Sequence, residues 1–169
     1  MFSLLNENEH WTAIEGYEGL YAVSNMGRVY SHIGKGGILK NTKSVCRGGY
    51  LQVGLCKDGN KKTFRIHVLV GNAFVGKREG ELTFDHIDRN PLNNCADNLR
   101  LASRSEQQAN TGVSKNNKLG EKNIRINQHS YQVRIIRNKK FVFNKHFAKK
   151  DYTLEQVVEE RNRFLDNYV

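Results

Sequence analysis

The sequence predicts an α+β protein of small antiparallel sheets with few helices, and three observations predict it. Short runs alternating apolar and polar residues recur at LYAVS (20–24), GRVYS (27–31) and YLQVGLC (50–56), each bounded by turns containing Gly or Asn. Residues 82–110 read strand, loop, strand, helix. Beyond residue 121, three more alternating runs precede one amphipathic helix.

Taken in order, the first runs make a small N-terminal antiparallel sheet, and Asp58-Gly59 between YLQVGLC and KKTFRIH is a hairpin turn that needs positive φ. HVLVGNAF (67–74) is a short helix rich in β-branched residues. LTFDHI (82–87) is a strand that delivers Asp85 and His86 at its end; Pro91 and its neighbouring asparagines form a loop, and Asn98 introduces a second strand, LRLAS (99–103). Ser103 followed by Glu106 is a capping box that opens a helix running to about Asn110, stopped by Gly112. The polar stretch 112–121 has no apolar period and reads as a linker. KNIRIN, SYQVRIIR and FVFNKHF then make three strands, and Thr153 with Gln156 caps a helix with Leu154, Val157, Val158, Phe164 and Leu165 on one face. The expected division is 1–66, a strand-rich module; 67–111, the strand-loop-strand-helix core; 112–121, the linker; and 122–169, a three-stranded sheet with one helix.

The charge is concentrated. The chain's net +10 is matched by residues 113–150 alone, which also carry +10, whereas residues 85–112 carry −1. A polyanionic partner is expected for the basic stretch. No apolar run approaches the ~20 residues that cross a bilayer, and MFSLLNENEHW has neither the basic start nor the apolar stretch of a signal peptide, so the expected location is the cytoplasm. Cys46, Cys56 and Cys95 show no paired spacing and read as free thiols.

The sequence FDHIDRNPLNNCADNLRLAS has residue types suited to phosphodiester hydrolysis, which needs a base for water, a cation near the phosphate and support for the departing oxygen. His86 is the candidate base, because an imidazole titrates near neutral pH. Asp85 offers hard oxygen to Mg²⁺ or Mn²⁺. The two can share a site only if the strand ends there and the backbone turns. Gln107 and Asn110, three apart on the following helix, both offer amide oxygens as a further ligand. Asn98 is expected to fix the His86 tautomer. His67, beside an apolar run, is read as a buried, hydrogen-bonded residue in preference to a catalytic one.

DHIDRNPLNNCADNLRLASRSEQQAN resembles the core of HNH endonucleases of the homing type, a ββα-metal fold. FRIHVLVGNAF resembles the segment ahead of that core, and WTAIEGYEGLYAVSNMGRVYS the N-terminal module often found before it. Residues 122–167 resemble the ethylene-response-factor type of DNA-binding domain, whose sheet lies in a major groove. The resemblance implies Asp85 as ligand to one divalent metal, His86 as the residue that activates water and Asn98 as its orienting partner. It expects Asn or His where this chain has Gln107, so the second ligand is Gln107 or Asn110. Arg89 stands in place of a usual glycine and Leu101 in place of a usual tryptophan, changes of loop shape and packing.

On the C-terminal sheet, Tyr131, Val133, Ile135, Phe141 and Phe143 are expected to pack on the helix, leaving Arg125, Gln132 and Arg134 outward to read bases in double-stranded DNA. Lys139, Lys140 and Lys145, with Lys149 and Lys150, are expected to hold phosphates. The resemblance thus implies a metal-dependent DNA endonuclease of phage or mobile-element origin, and one core per chain suggests a monomer that nicks. The alternative is a DNA-binding regulator with a decayed core, for which Gln107 is the best evidence.

Overall fold

The computed structural model describes residues 8–34, 37–39, 44–46 and 48–168; most of the stretch used above to judge a signal peptide, residues 1–7, lies outside them. The chain divides into two compact units between Arg104 and Ser105.

In the first unit, β1 (Trp11–Ala13), β2 (Tyr21–Ser24), β3 (Val29–Ser31) and β4 (Ile38–Leu39) form one antiparallel sheet in that order. A second sheet joins β5 (Ser44–Val45), β6 (Leu51–Lys57) and β7 (Asn60–Arg65). The turn between β6 and β7 has φ of 50° at Asp58 and 75° at Gly59, the pair of positive angles a two-residue hairpin demands. Helix α1 (Ile66–Val70) follows at once and continues through a π-helical turn, Gly71–Val75. Its β-branched residues disfavour helix weakly, but Ile66, Leu69 and Val70 are buried, and that burial outweighs propensity. The strands β8 (Thr83–His86) and β9 (Leu99–Ala102) then pair with Asp85 opposite Arg100 and His86 opposite Leu99.

One hydrophobic cluster runs through all of this. Tyr21, Val23 and Val29 of the first sheet, Val53 and Leu55 of the second, Ile66 and Val70 of α1 and Leu99 of β9 belong to it. The N-terminal sheets are therefore packed into the same core as the β8–β9 hairpin.

Helix α2 (Arg104–Asn110) starts one residue after Ser103, as the capping signature predicts, and from Ser105 onward it belongs to the second unit. Its C-terminal carbonyls, those of Gln108, Ala109 and Thr111, accept hydrogen bonds from Lys122 Nζ, a cation at the negative end of a helix. Strands β10 (Ile124–Ile126), β11 (Ser130–Arg137) and β12 (Lys140–Ala148) form an antiparallel sheet in that order, covered on one face by α3 (Leu154–Asp166). Thr153 and Gln156 make the reciprocal capping box. Ile124, Val133, Ile135, Phe147 and Val157 are the buried core, with Leu154, Val158, Phe164 and Leu165 packed against it.

Phe141 departs from the expected inward set. The register shifts between Ile135 and Ile136, so that Ile135 faces Phe143 and Ile136 faces Phe141, leaving Val142 as the extra residue of a bulge. One inserted residue reverses the alternation, and Phe141 emerges on the face away from α3, 55% exposed.

Gly71 sets how closely α1 approaches β8. A Cβ there would lie 2.5 Å from the ring of Phe84, the buried residue that precedes Asp85. Gly71→Ala is expected to destabilise the protein by about 1–3 kcal/mol through overpacking, read as a lower urea midpoint at unchanged slope; an unchanged midpoint would show that Phe84 yields freely.

Candidate active site

β8 stays extended through His86, so the two side chains leave on opposite faces, and the turn that would bring them to one side does not occur within the strand. His86 points inward, 6% exposed. Asp85 points to the other face, where Arg100, its cross-strand neighbour, donates to Oδ2 from Nη2 at 3.1 Å and Nε at 3.3 Å.

The amide against the His86 ring belongs to Asn94. Its Oδ1 lies 3.3 Å from His86 Nε2, while its Nδ2 donates to the Leu92 carbonyl at 3.0 Å. An amide oxygen can only accept, so Nε2 carries the ring proton and the basic lone pair is on Nδ1. Asn94 is itself buried, and it sits where it does because Gly27, in the turn between β2 and β3, has no side chain: a Cβ on Gly27 would be 2.9 Å from that of Asn94. Gly27 also has φ of 78°, a conformation natural to glycine. Ala96 N donates to Asn25 O at 2.7 Å, fastening the same loop to the same turn.

The other side of His86 is a stack of rings. His67 meets it edge to face at 5.1 Å between centroids, and Tyr50 lies 5.0 Å from His67 and 6.0 Å from His86. Arg65 lies over Tyr50. His67 is buried as expected, but its Nδ1 has no hydrogen-bond partner among the described residues. Burial, then the proximity of His86, Arg65 and Arg78, lowers its pKa to about 4. It is neutral at pH 7.

Asn98, expected to orient His86, bonds to Asp88 and Asn93 in the loop. Its Oδ1 accepts from Asp88 N at 3.0 Å, and its Nδ2 donates to Asp88 Oδ1 and Asn93 O, both at 2.9 Å. Asp88 also accepts from Asn90 N and Asn93 Nδ2, each at 2.8 Å. These bonds, those from Asn93 first, hold the Asp88 carboxyl below the usual carboxylate range. Asp88 and Asn98 thus close the loop that carries Asn94. Arg89 adopts the left-handed backbone, with φ of 64°. Sequence reasoning missed Asp88, although Asp-x-Asn is an Asx-turn signature; it also missed Asn94, Arg100, Tyr50 and Gly27.

The Asp85 carboxylate is a hard oxygen donor of the kind a divalent cation takes. The carboxylate, its side chain 16% exposed, already sits against a positive charge. Among the described residues no three His, Cys, Asp or Glu side chains gather as a metal group, so an ion here would rely on one carboxylate, neutral oxygens and water, the chemistry of Mg²⁺ or Mn²⁺ more than of zinc. Gln107 and Asn110 lie on α2, in the second unit.

On the second unit, Arg125, Gln132 and His146 form one cross-strand row, and Arg134 faces Asn144. Gln132 donates to Asn144 at 2.9 Å. This is the face away from α3. Lys145, expected to hold a phosphate, is opposite buried Val133 and projects from the other face, with its Nζ 5.0 Å from the Phe147 ring. Lys139 and Lys140 stand exposed at the β11–β12 turn.

A strand pair followed by a helix, with Asp-His ending the first strand and asparagines bracing the loop, is the arrangement of an HNH nuclease core. Residues 9–56 match the NUMOD4 motif and residues 64–109 match the HNH endonuclease family. It is 45% identical over 94 residues to the DNA endonuclease I-HmuI of Bacillus phage SP01, covering 56% of this chain and 52% of that protein. Protein 3.8 of Escherichia phage T7 is 41% identical over 63 residues, 37% of this chain and 52% of the relative. A solved structure concerned with DNA binding and cleavage by the HNH homing endonuclease I-HmuI superposes with a TM-score of 0.53 at 29% identity, covering 93% of this chain and 88% of that chain. The aligned sequence spans about half the length of these two curated relatives.

The buried imidazole of His67 makes stability depend on pH. With a folded pKa near 4 and an ordinary value of 6.5, the unfolded chain binds the proton more readily, so stability is lost as pH falls from 6.5 towards 4. His67→Phe, which keeps a ring against His86 and Tyr50, is expected to flatten melting temperature against pH in that window, by the equivalent of at most ~3 kcal/mol. Parallel curves for the two proteins would refute the assignment.

Proposed function

We propose that the chain is a metal-dependent DNA endonuclease of the homing type that hydrolyses a phosphodiester in double-stranded DNA, with His86 as general base. The observation that carries this reading is the buried imidazole at the end of β8 whose Nε2 is committed to Asn94. His86 Nδ1 takes a proton from the water that attacks phosphorus; the P–O3′ bond breaks, leaving a 5′-phosphate and a 3′-hydroxyl. Asp85 and His86 leave opposite faces of the strand, so a phosphate within reach of both lies over the strand end. Mg²⁺ or Mn²⁺ held by Asp85, with Gln107 or Asn110 as a further ligand, would supply positive charge beside that phosphate. Arg100, now paired with Asp85, is the protein's own cation at the same place. Asn98 acts at one remove, by closing the loop that presents Asn94.

The three-stranded sheet, as its likeness to the ethylene-response-factor domain implies, lays its outer face in a major groove, with Arg125, Gln132 and Arg134 towards base edges and Lys139 and Lys140 towards phosphates. One nuclease core per chain favours a monomer that nicks. The protein works in the cytoplasm of the cell that holds its DNA target.

Supercoiled plasmid carrying DNA from the gene's own neighbourhood, incubated with Mg²⁺, Mn²⁺ or EDTA, tests the reading. Metal-dependent conversion to open circle is expected, reduced at least ~10²-fold in His86→Ala and lost in Asp85→Ala. Binding without cleavage in every metal would leave a DNA-binding regulator with a decayed core.

A further inference from the structure

The outer face of the C-terminal sheet is not wholly polar. Ile136 and Phe141 face each other across β11 and β12, 47% and 55% exposed, beside the turn that carries Lys139 and Lys140. Ile136 faces outward by the ordinary alternation of β11, and Phe141 is turned to join it by the bulge at Val142, since uninterrupted alternation would bury Phe141 under α3. The Arg134 guanidinium lies over the Phe141 ring, 4.9 Å from its centre. An apolar pair with an arginine resting on it, in a stretch of net charge +10, suits a partner that is a polyanion with an apolar group to offer.

We propose that Ile136 and Phe141 form an apolar subsite for the 5-methyl group of thymine, adjacent to the base read by Arg134, and so set part of the sequence preference. The subsite rests on the reading of this face as the major-groove face. Major-groove edges of base pairs present donors, acceptors and one apolar group, the thymine methyl. Side chains that prise base steps apart work from the minor groove, whereas this pair lies flat on a sheet among Arg125, Gln132 and Arg134. The stacked ring also restricts Arg134, so that the arginine and the methyl contact address neighbouring base pairs together.

The test uses the full chain in EDTA, which prevents cleavage, and a duplex enriched from a random library by binding to the wild type. Each dT is replaced in turn by dU, which removes only the methyl group, and affinity is measured by mobility shift for wild type, Phe141→Ala, Phe141→Leu and Arg134→Ala. At one or two positions the wild type is expected to lose about fourfold in affinity, the worth of one buried methyl. At those positions Phe141→Ala should bind dT and dU duplexes equally, and Phe141→Leu should keep part of the preference. A wild type indifferent to every replacement, or a Phe141→Ala that keeps the full preference, overturns the subsite. The reading beneath it fails separately: if Arg134→Ala binds as tightly as wild type and with the same sequence preference, this face is not the one that reads DNA.

Discussion

The hydrogen bond between His86 Nε2 and Asn94 Oδ1 fixes which ring nitrogen keeps its lone pair, and much of the first unit is arranged around it. An imidazole free to exchange tautomers would present its basic nitrogen at Nδ1 only part of the time. Asn94 is held by its own bond to Leu92, by the loop that Asp88 and Asn98 close, and by the absence of a side chain at Gly27. The two N-terminal sheets thus have a part in the His86 site, because the first supplies the turn against Asn94 and the second the Tyr50 ring beside His86. The shared hydrophobic cluster gives that arrangement its rigidity.

The second unit divides the labour by face. α3 covers Val133, Ile135 and Phe147, and the strands' alternation sends Arg125, Gln132 and Arg134 the other way. Arg161, buried on α3, donates to Lys122 O at 2.6 Å and to Glu121 Oε2 at 2.9 Å. Lys122 in turn caps α2. The helix that carries Gln107 and Asn110 is in this way bonded to the sheet module, a connection that couples the proposed metal ligand to the proposed reader of DNA.

Periodicity made the elements legible, because a strand with one buried face cannot hide its alternation and a capped helix announces its start. Asp58-Gly59, the strand SYQVRIIR and the Thr153 cap all lie where the sequence puts them. What depends on contacts far along the chain was not legible. In a loop with Asn90, Asn93, Asn94 and Asn98, spacing does not say which amide turns inward; Gly27 and the Asp88 carboxylate decide it. The bulge at Val142 left no mark in composition, yet it moved Phe141 to the opposite face, and Lys145 needed the register to be placed.

The protonation of His86 at neutral pH tests the core of this description most directly. Long-range ¹H–¹⁵N correlation of the ring nitrogens, assigned by comparison with His86→Gln, is expected to show a proton on Nε2, and to shift towards a tautomer mixture in Asn94→Ala. A proton found on Nδ1, or a spectrum unchanged by removing Asn94, would contradict it.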